Sequence, residues 1–262
     1  MLNKFPIYIV SKGRADIGRT WKYFYRAGIP FQIAVEPQEY DEYKKYVPEK
    51  HLLKLPFSNL GLGSFPARNF VWEHSLAAGH QYHWVFDDNI NGFFKWDRGK
   101  RRKLPDERII EALDYVEKHT YEKNIELSGF HYVMFEFHPP KKPFRMNNHI
   151  YSGILIKNNQ PARWRLKYNE DIDLCLQVLN NGGTTAACIY YLIHKQSTAT
   201  KMRGGNQTDL YQGNDPKKKL LKVEMLKKLW PDYVEVCIRF GRPHHKIHWG
   251  KVKKMMDQKR YI

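Results

Sequence analysis

His83-Trp84-Val85-Phe86-Asp87-Asp88-Asn89-Ile90 is an apolar run that stops abruptly in two carboxylates and an amide. The run from Trp84 to Phe86 predicts a short buried strand. Acids at the C-terminal end of such a strand lie on the rim of an open sheet, where α/β proteins bind their ligands. Adjacent carboxylates repel each other, so the pair is easiest to keep when a divalent cation sits between it and a ligand's phosphates. The triplet Asp-Asp-Asn also suits an ordinary turn, and its neighbours must decide between the two.

Upstream, Lys4 to Val10 predicts a first buried strand that leads into Ser11-Lys12-Gly13-Arg14-Ala15-Asp16. A small basic turn between strand and helix presents backbone N–H groups and a guanidinium to an anion. Neither a P-loop nor a Gly-x-Gly-x-x-Gly run follows this strand. Arg19 to Ala27 has a helical pattern ended by Gly28-Ile29-Pro30, residues 31–35 form a second strand closed by Glu36, Gln38 to Tyr46 a helix, and Leu52 to Leu55 a third strand. This alternation predicts βαβ units, and an acid after the second strand is the layout of a nucleotide site. A glycine-punctuated loop then enters a helix at Ala67 to Ala78. Arg68 stands at its start, where the helix dipole disfavours a cation, so it calls for an anionic partner unless it is a plain surface arginine.

Downstream, Lys95 to Lys103 reads as a basic loop, Asp106 to His119 as an amphipathic helix, Leu127 to Phe137 and His149 to Lys157 as strands. The Pro/Lys/Arg stretch from His138 to Asn148 suits a lid or an acceptor contact. Tyr168-Asn169-Glu170-Asp171-Ile172-Asp173 predicts a helix start, with Asn169 or a neighbour as cap and acids in the first turn. Thr184 to Ile193 is a strand tipped by His194-Lys195, and a histidine in that place is a metal-ligand candidate. Met202 to Asn206 reads as a flexible basic loop. A helix over Asp215 to Leu229 carries Lys217, Lys218 and Lys219. The tail beyond it interleaves Arg239, Arg242, His244, Lys246 and Trp249, a pattern suited to phosphate contacts and base stacking.

Composition narrows the class. With 42% hydrophobic and 15% aromatic residues, the 262-residue chain folds as a globule. It has no 18-residue apolar run and no basic-then-apolar leader, which predicts neither membrane span nor secretory signal. Cys175, Cys188 and Cys237 lack metal-ligand spacing and suit a reducing cytoplasm. The net charge is +17, and residues from Lys201 onward hold 16 Lys/Arg against 6 Asp/Glu, or +10 of that total. A basic module of this kind points to a polyanion, most simply nucleic acid.

Taken in order, these motifs resemble a GT-A type glycosyltransferase: Ser11-Lys12-Gly13-Arg14 after the first strand, Glu36 after the second, Asp87-Asp88-Asn89 in place of a DxD motif, Asn169-Glu170-Asp171 like an xED motif, and a late His194. More narrowly, the chain is similar to the TET/JBP-associated glycosyltransferases of bacteriophages, which act on hydroxymethylated pyrimidines in DNA. The resemblance covers roughly residues 5 to 210. It implies a Rossmann-like GT-A domain over 1–212, with a mixed, mostly parallel sheet flanked by helices, and a basic helical extension over 213–262 packed on it. It implies a UDP-sugar donor, Mn²⁺ or Mg²⁺, and DNA bearing 5-hydroxymethylcytosine or a related base as acceptor, in the host cytoplasm if the chain is phage-encoded.

Position by position, the resemblance places Ser11, Arg14 and Glu36 on the uridine side and Arg68 at the ribose or phosphates. Asp87 contacts the ribose, Asp88 the metal, with His194 as a further ligand. Lys195 and Arg203 steady the leaving diphosphate. Asp171, with Glu170 as second choice, takes the acceptor proton. Asn89 departs from an all-acid triplet and is left out of the metal set. Three other readings stay open: a metal-dependent nuclease or nucleotidyltransferase, a non-catalytic nucleic-acid-binding protein, and a GT-A enzyme with a glycan or protein acceptor.

Overall fold

Strand and helix alternate through the first third of the chain: β1 (Ile7–Val10), α1 (Thr20–Arg26), β2 (Gln32–Val35), α2 (Tyr40–Lys44), β3 (Leu52–Lys54), α3 (Phe65–Ala77) and β4 (Tyr82–Asp87). A computed structural model describes residues 4–195, 204–205, 216–239 and 241–259, with backbone alone for 216, 217 and 259. The hairpin β5 (Ile90–Asp97) and β6 (Lys100–Lys103) follows, then α4 (Ile109–Glu122), β7 (Leu127–Tyr132), β8 (Phe144–Met146), β9 (Gly153–Lys157), α5 (Glu170–Asn180) and β10 (Thr185–Lys195). These strands make one sheet in the order β3-β2-β1-β4-β9-β7-β10-β5-β6, with β8 beside β10. All of them except β5, β8 and β9 run in the same sense, so the sheet is mixed but mostly parallel.

The run Trp84–Phe86 is apolar on both faces because both are covered. Trp84 and Phe86 pack with Phe24, Phe93 and Phe130 on one side, while Val85 joins Tyr8, Trp72, Ile154 and Trp164 on the other. A strand sandwiched this way loses the alternation of a half-exposed strand.

Several boundaries differ from the sequence expectation. The basic loop at 95–103 is half of a β-hairpin, turned at Arg98 and Gly99, both with positive φ (46° and 76°). Two-residue turns of that kind match the twist of the flanking strands. The strand expected to reach Phe137 stops at Tyr132 and gives way to a 3-10 turn, Val133–Phe135. The extension is not purely helical either. It consists of α6 (Pro216–Leu229), an antiparallel hairpin of β11 (Val234–Arg239) and β12 (Arg242–Ile247), and α7 (Trp249–Lys259). Leu226, Trp230, Val252, Met255 and Met256 from this unit pack on Leu166, Ile172, Leu176 and Leu179 of the α5 region. Each such side chain contributes about 1.5–3 kcal/mol when fully buried. Trp230 also donates its indole N–H to Asp173 at 2.7 Å.

Candidate active site

Parallel pairing of β1 with β4 sets Val10 opposite Asp87, so the residues that follow, Ser11 and Asp88, meet at the strand ends. Ser11 Oγ donates to Asp88 Oδ2 at 2.6 Å and is itself bonded to the Tyr43 hydroxyl at 2.7 Å. Arg14 Nη1 reaches Asp88 Oδ1 at 2.5 Å. The acid turn is also held through its backbone. The amides of Arg19 and Thr20, at the start of α1, donate to the Asp88 carbonyl at 2.8 and 3.2 Å.

Asp87 is held from the other side. Arg68 Nη2 lies 2.6 Å from Oδ1, while Lys195 Nζ and Ser152 Oγ each lie 2.6 Å from Oδ2. Burial opposes ionisation of Asp87, but Lys195 and Arg68 overrule it and hold the carboxyl well below the usual carboxylate range. Arg68, with only 5% of its surface exposed, thus has the anionic partner that its place at a helix start called for. Asp88 differs: burial pushes its carboxyl upward against Arg14 and Ser11.

The second acid cluster stands at the start of α5. Asn169 precedes it in a left-handed conformation (φ 57°), which asparagine tolerates better than most residues. Its side chain makes no capping bond and instead donates to the Lys222 carbonyl at 2.8 Å, tying α5 to α6. Glu170 accepts from Ser64 Oγ at 3.0 Å and lies 3.6 Å from Arg68. Asp171 is half-buried, and burial first, then Glu170 and Asp87, raise its carboxyl to about 7 against the pull of Lys195.

One cleft of about 720 Å³ joins these groups. Ser11, Arg14, Glu36, Arg68, Asp87, Asp88, Glu170, Asp171 and Lys195 all line it. Glu36 is held at the rim by Lys12 (2.7 Å) and the Asn59 amide (2.8 Å). His194 is not brought there; its ring packs on Phe94, with centroids 6.2 Å apart. Neighbouring strand residues face opposite ways, and Lys195 is the one of the two that turns into the cleft. Arg203 lies outside the described residues. Next to it, the stretch expected to be a flexible loop shows Gly204 and Gly205 seated on the turn at Lys12–Gly13. A Cβ on Gly204 would stand 2.6 Å from the Lys12 carbonyl, and Arg14 Nη2 donates to the Gly204 carbonyl at 2.9 Å.

The residues present suit a hard divalent cation held jointly with phosphate oxygens. Asp88 supplies a carboxylate, and the buried Asn89 Oδ1, also lining the cleft, has no hydrogen-bond partner among the described residues. Among the described residues no three His, Cys, Asp or Glu side chains form a cation cage by themselves.

Tyr132, Tyr151 and Lys222, none of them singled out from sequence, also line the cleft, as does His245 of the basic tail. Tyr132 and Tyr151 stack at 4.9 Å with planes 3° apart. Lys222 and His245 come from α6 and β12, so the basic extension completes the cleft wall. Of the expected nucleic-acid contacts, Lys218, Arg239, Arg242 and Lys246 are exposed and Lys219 and His244 half-buried. Trp249 turns inward against His149, with ring centroids 5.4 Å apart, and so packs the extension onto the domain. Lys217 is described by its backbone only.

With the cleft defined, comparison with protein families decides its class: the TET-Associated Glycosyltransferase family matches residues 5–205. The chain belongs to that family. The description of that family is of a glycosyltransferase. A search of curated proteins gave no match. Among solved structures it is similar to mannose-1-phosphate geranyltransferase from Thermus thermophilus, at 13% identity and a TM-score of 0.35. That likeness covers 71% of this chain and 58% of the other protein's length, and the fold assignment rests on the strand order alone. The family match ends before α6, so the TET-associated glycosyltransferase carries Lys222 and His245 on a unit beyond it. No helix among the described residues is long and apolar enough to cross a membrane.

Proposed function

We propose that the protein moves a sugar from a UDP-sugar to the hydroxymethyl group of 5-hydroxymethylcytosine, or a related hydroxymethylpyrimidine, in DNA. The observation that carries this reading is the meeting, in one cleft, of a cation-rich acid turn with a separate carboxylate whose pKa is about 7. Ser11, Lys12 and Glu36 lie at the nucleoside end. Arg14, Arg68 and Lys195 face the diphosphate, where negative charge grows as the sugar–phosphate bond breaks. Asp88 and Asn89 would hold Mn²⁺ or Mg²⁺, which when bound adds Lewis-acid stabilisation of the leaving UDP.

In the transfer step the acceptor hydroxymethyl oxygen attacks the anomeric carbon, the bond to the diphosphate oxygen breaks, and UDP departs with the electron pair. Asp171 takes the hydroxyl proton, and a base with pKa near the working pH serves best. This assignment corresponds to an inverting reaction. The competing nuclease reading calls for acids converging on two cations, whereas Asp87 here is taken up by Arg68 and Lys195 and leaves Asp88 as the one acid of the pair for a cation.

The test incubates the protein with Mn²⁺, a panel of UDP-sugars, and DNA containing cytosine or 5-hydroxymethylcytosine, followed by mass spectrometry of the nucleosides. A hexose-sized gain confined to the hydroxymethylated DNA is expected. Strand cleavage, or transfer to a glycan or protein and none to DNA, sinks the reading.

A further inference from the structure

An apolar projection at the cleft's edge takes no part in the transfer chemistry above. After β7 the chain turns through Val133–Phe135 and passes Glu136 to Phe137. Met134, Phe135 and Phe137 are 42%, 48% and 72% exposed. Three large apolar side chains turned to solvent within four residues mark a contact surface more often than an accident of packing.

The backbone beneath them is clamped. Arg101 of β6 donates through Nη1 to the carbonyls of Val133 (2.6 Å) and Glu136 (2.8 Å). The Glu136 side chain is buried, 2.9 Å from Arg145 and 2.8 Å from the His131 ring. The rings are thus held outward on a fixed base. Phe135 also continues inward: its ring lies 5.8 Å from Tyr132 and 6.1 Å from Tyr151, the stacked pair that lines the cleft beside Asp171. Beside the projection, all four residues of β6, Lys100 to Lys103, are exposed and basic. Aromatic rings on a rigid base flanked by cations match an unstacked nucleobase between phosphates, because every base offers a π-face and every linkage a charge.

We propose that Met134–Phe137 unstacks the acceptor base. Phe137 enters the duplex beside the target, Phe135 takes the face of the displaced base, and Tyr132 and Tyr151 carry that stacking surface on toward Asp171. The exposed cations of β6 other than Arg101 hold the neighbouring phosphates. This rests on the reading of DNA as acceptor. It adds how a substituent of a stacked base reaches a carboxylate set within a cleft, which a duplex cannot otherwise enter.

The test pairs the wild type with Phe137→Ala and Phe135→Ala, both exposed positions outside the catalytic groups. Sugar transfer is measured on duplex and on single-stranded hydroxymethylated oligonucleotides, and 2-aminopurine fluorescence on an unmodified duplex bearing the probe next to the target position. Phe137→Ala should lose roughly tenfold or more on duplex and stay within about twofold of wild type on single strands, where the base is already unstacked, whereas Phe135→Ala should weaken both substrates because each uses its stacking face. Wild type should brighten 2-aminopurine, and Phe137→Ala should not. Equal losses of Phe137→Ala on both substrates, or none on either, overturn the proposal. So does a wild type that transfers sugar to duplex without brightening the probe. A wild type that transfers no sugar to either DNA substrate sinks the DNA-acceptor reading and this proposal with it, whereas transfer to duplex without brightening overturns this proposal alone.

Discussion

The acid turn and the C-terminal extension carry charge in opposite ways. At the turn, Asp87 and Asp88 are nearly enclosed and each is matched atom by atom: Arg14 at 2.5 Å, Arg68 and Lys195 at 2.6 Å. In the extension, Arg239 and Arg242 stand exposed at the hairpin's end, and Glu235 answers Lys246 and His248 from 3.5 and 3.0 Å. Removing charge from water is costly, so buried ions persist only when partnered. Exposed charge needs no partner and acts through its sum, over a range set by salt. The first region should therefore respond to single atoms, the second to net charge.

The largest effect is expected at the acid turn. Asp88→Asn keeps the size of the side chain and a bond to Ser11 but loses the charge, and transfer should fall by on the order of 10³ with the circular dichroism unchanged. A drop under tenfold would place the diphosphate elsewhere.

Asp171→Asn should cost on the order of 10²-fold in kcat/KM. Wild-type kcat/KM should climb about tenfold per pH unit below pH 7 and level off above it, because the base works ionised and its pKa is about 7. Stability should move the other way. A carboxyl raised on folding stabilises most at low pH and loses that contribution as pH rises from the ordinary carboxylate value through about 7. The melting temperature of Asp171→Asn should thus gain on wild type across that window and hold steady above it; a constant gap contradicts the raised value.

Trp230→Phe removes the hydrogen bond to Asp173 and should cost about 1–3 kcal/mol by urea titration. It should weaken DNA use more than UDP-sugar turnover, since it loosens the unit that supplies Lys222 and His245. Smallest is the double reversal Arg239→Glu and Arg242→Glu. DNA affinity should drop severalfold and the salt slope flatten by about one for each phosphate no longer neutralised, with the UDP-sugar KM unchanged. An unchanged slope would take the hairpin off the DNA path.

Much of the first half could be read from its sequence because local signals agreed there. The run Trp84–Phe86, the glycine and proline stops and the acids after it all pointed to a parallel sheet with a polar rim. The β5–β6 hairpin was missed because Asp97-Arg98-Gly99-Lys100 reads as a charged loop, and charge is also how an edge strand avoids pairing with a neighbour. The β11–β12 hairpin was hidden in the same way by its Arg, Lys and His residues. Ser152, Tyr132 and Tyr151 carried no motif. They reach Asp87 and the cleft only because β9 lies between β4 and β7 in the sheet. His194 looked equivalent to Lys195, and the side-to-side alternation of β10 separated them.

The sequence by itself determined the chemical inventory: acids at the end of a buried strand, basic groups after the first strand and at a helix start, and an excess of positive charge toward the C-terminus. These are properties of neighbours along the chain, set by periodicity and composition. Only the tertiary structure decided who meets whom. Arg68 and Lys195 converge on Asp87 from far apart in sequence, the extension closes the cleft, and Phe135 and Phe137 are left facing solvent. Such contacts follow from strand order and packing, which depend on every element at once.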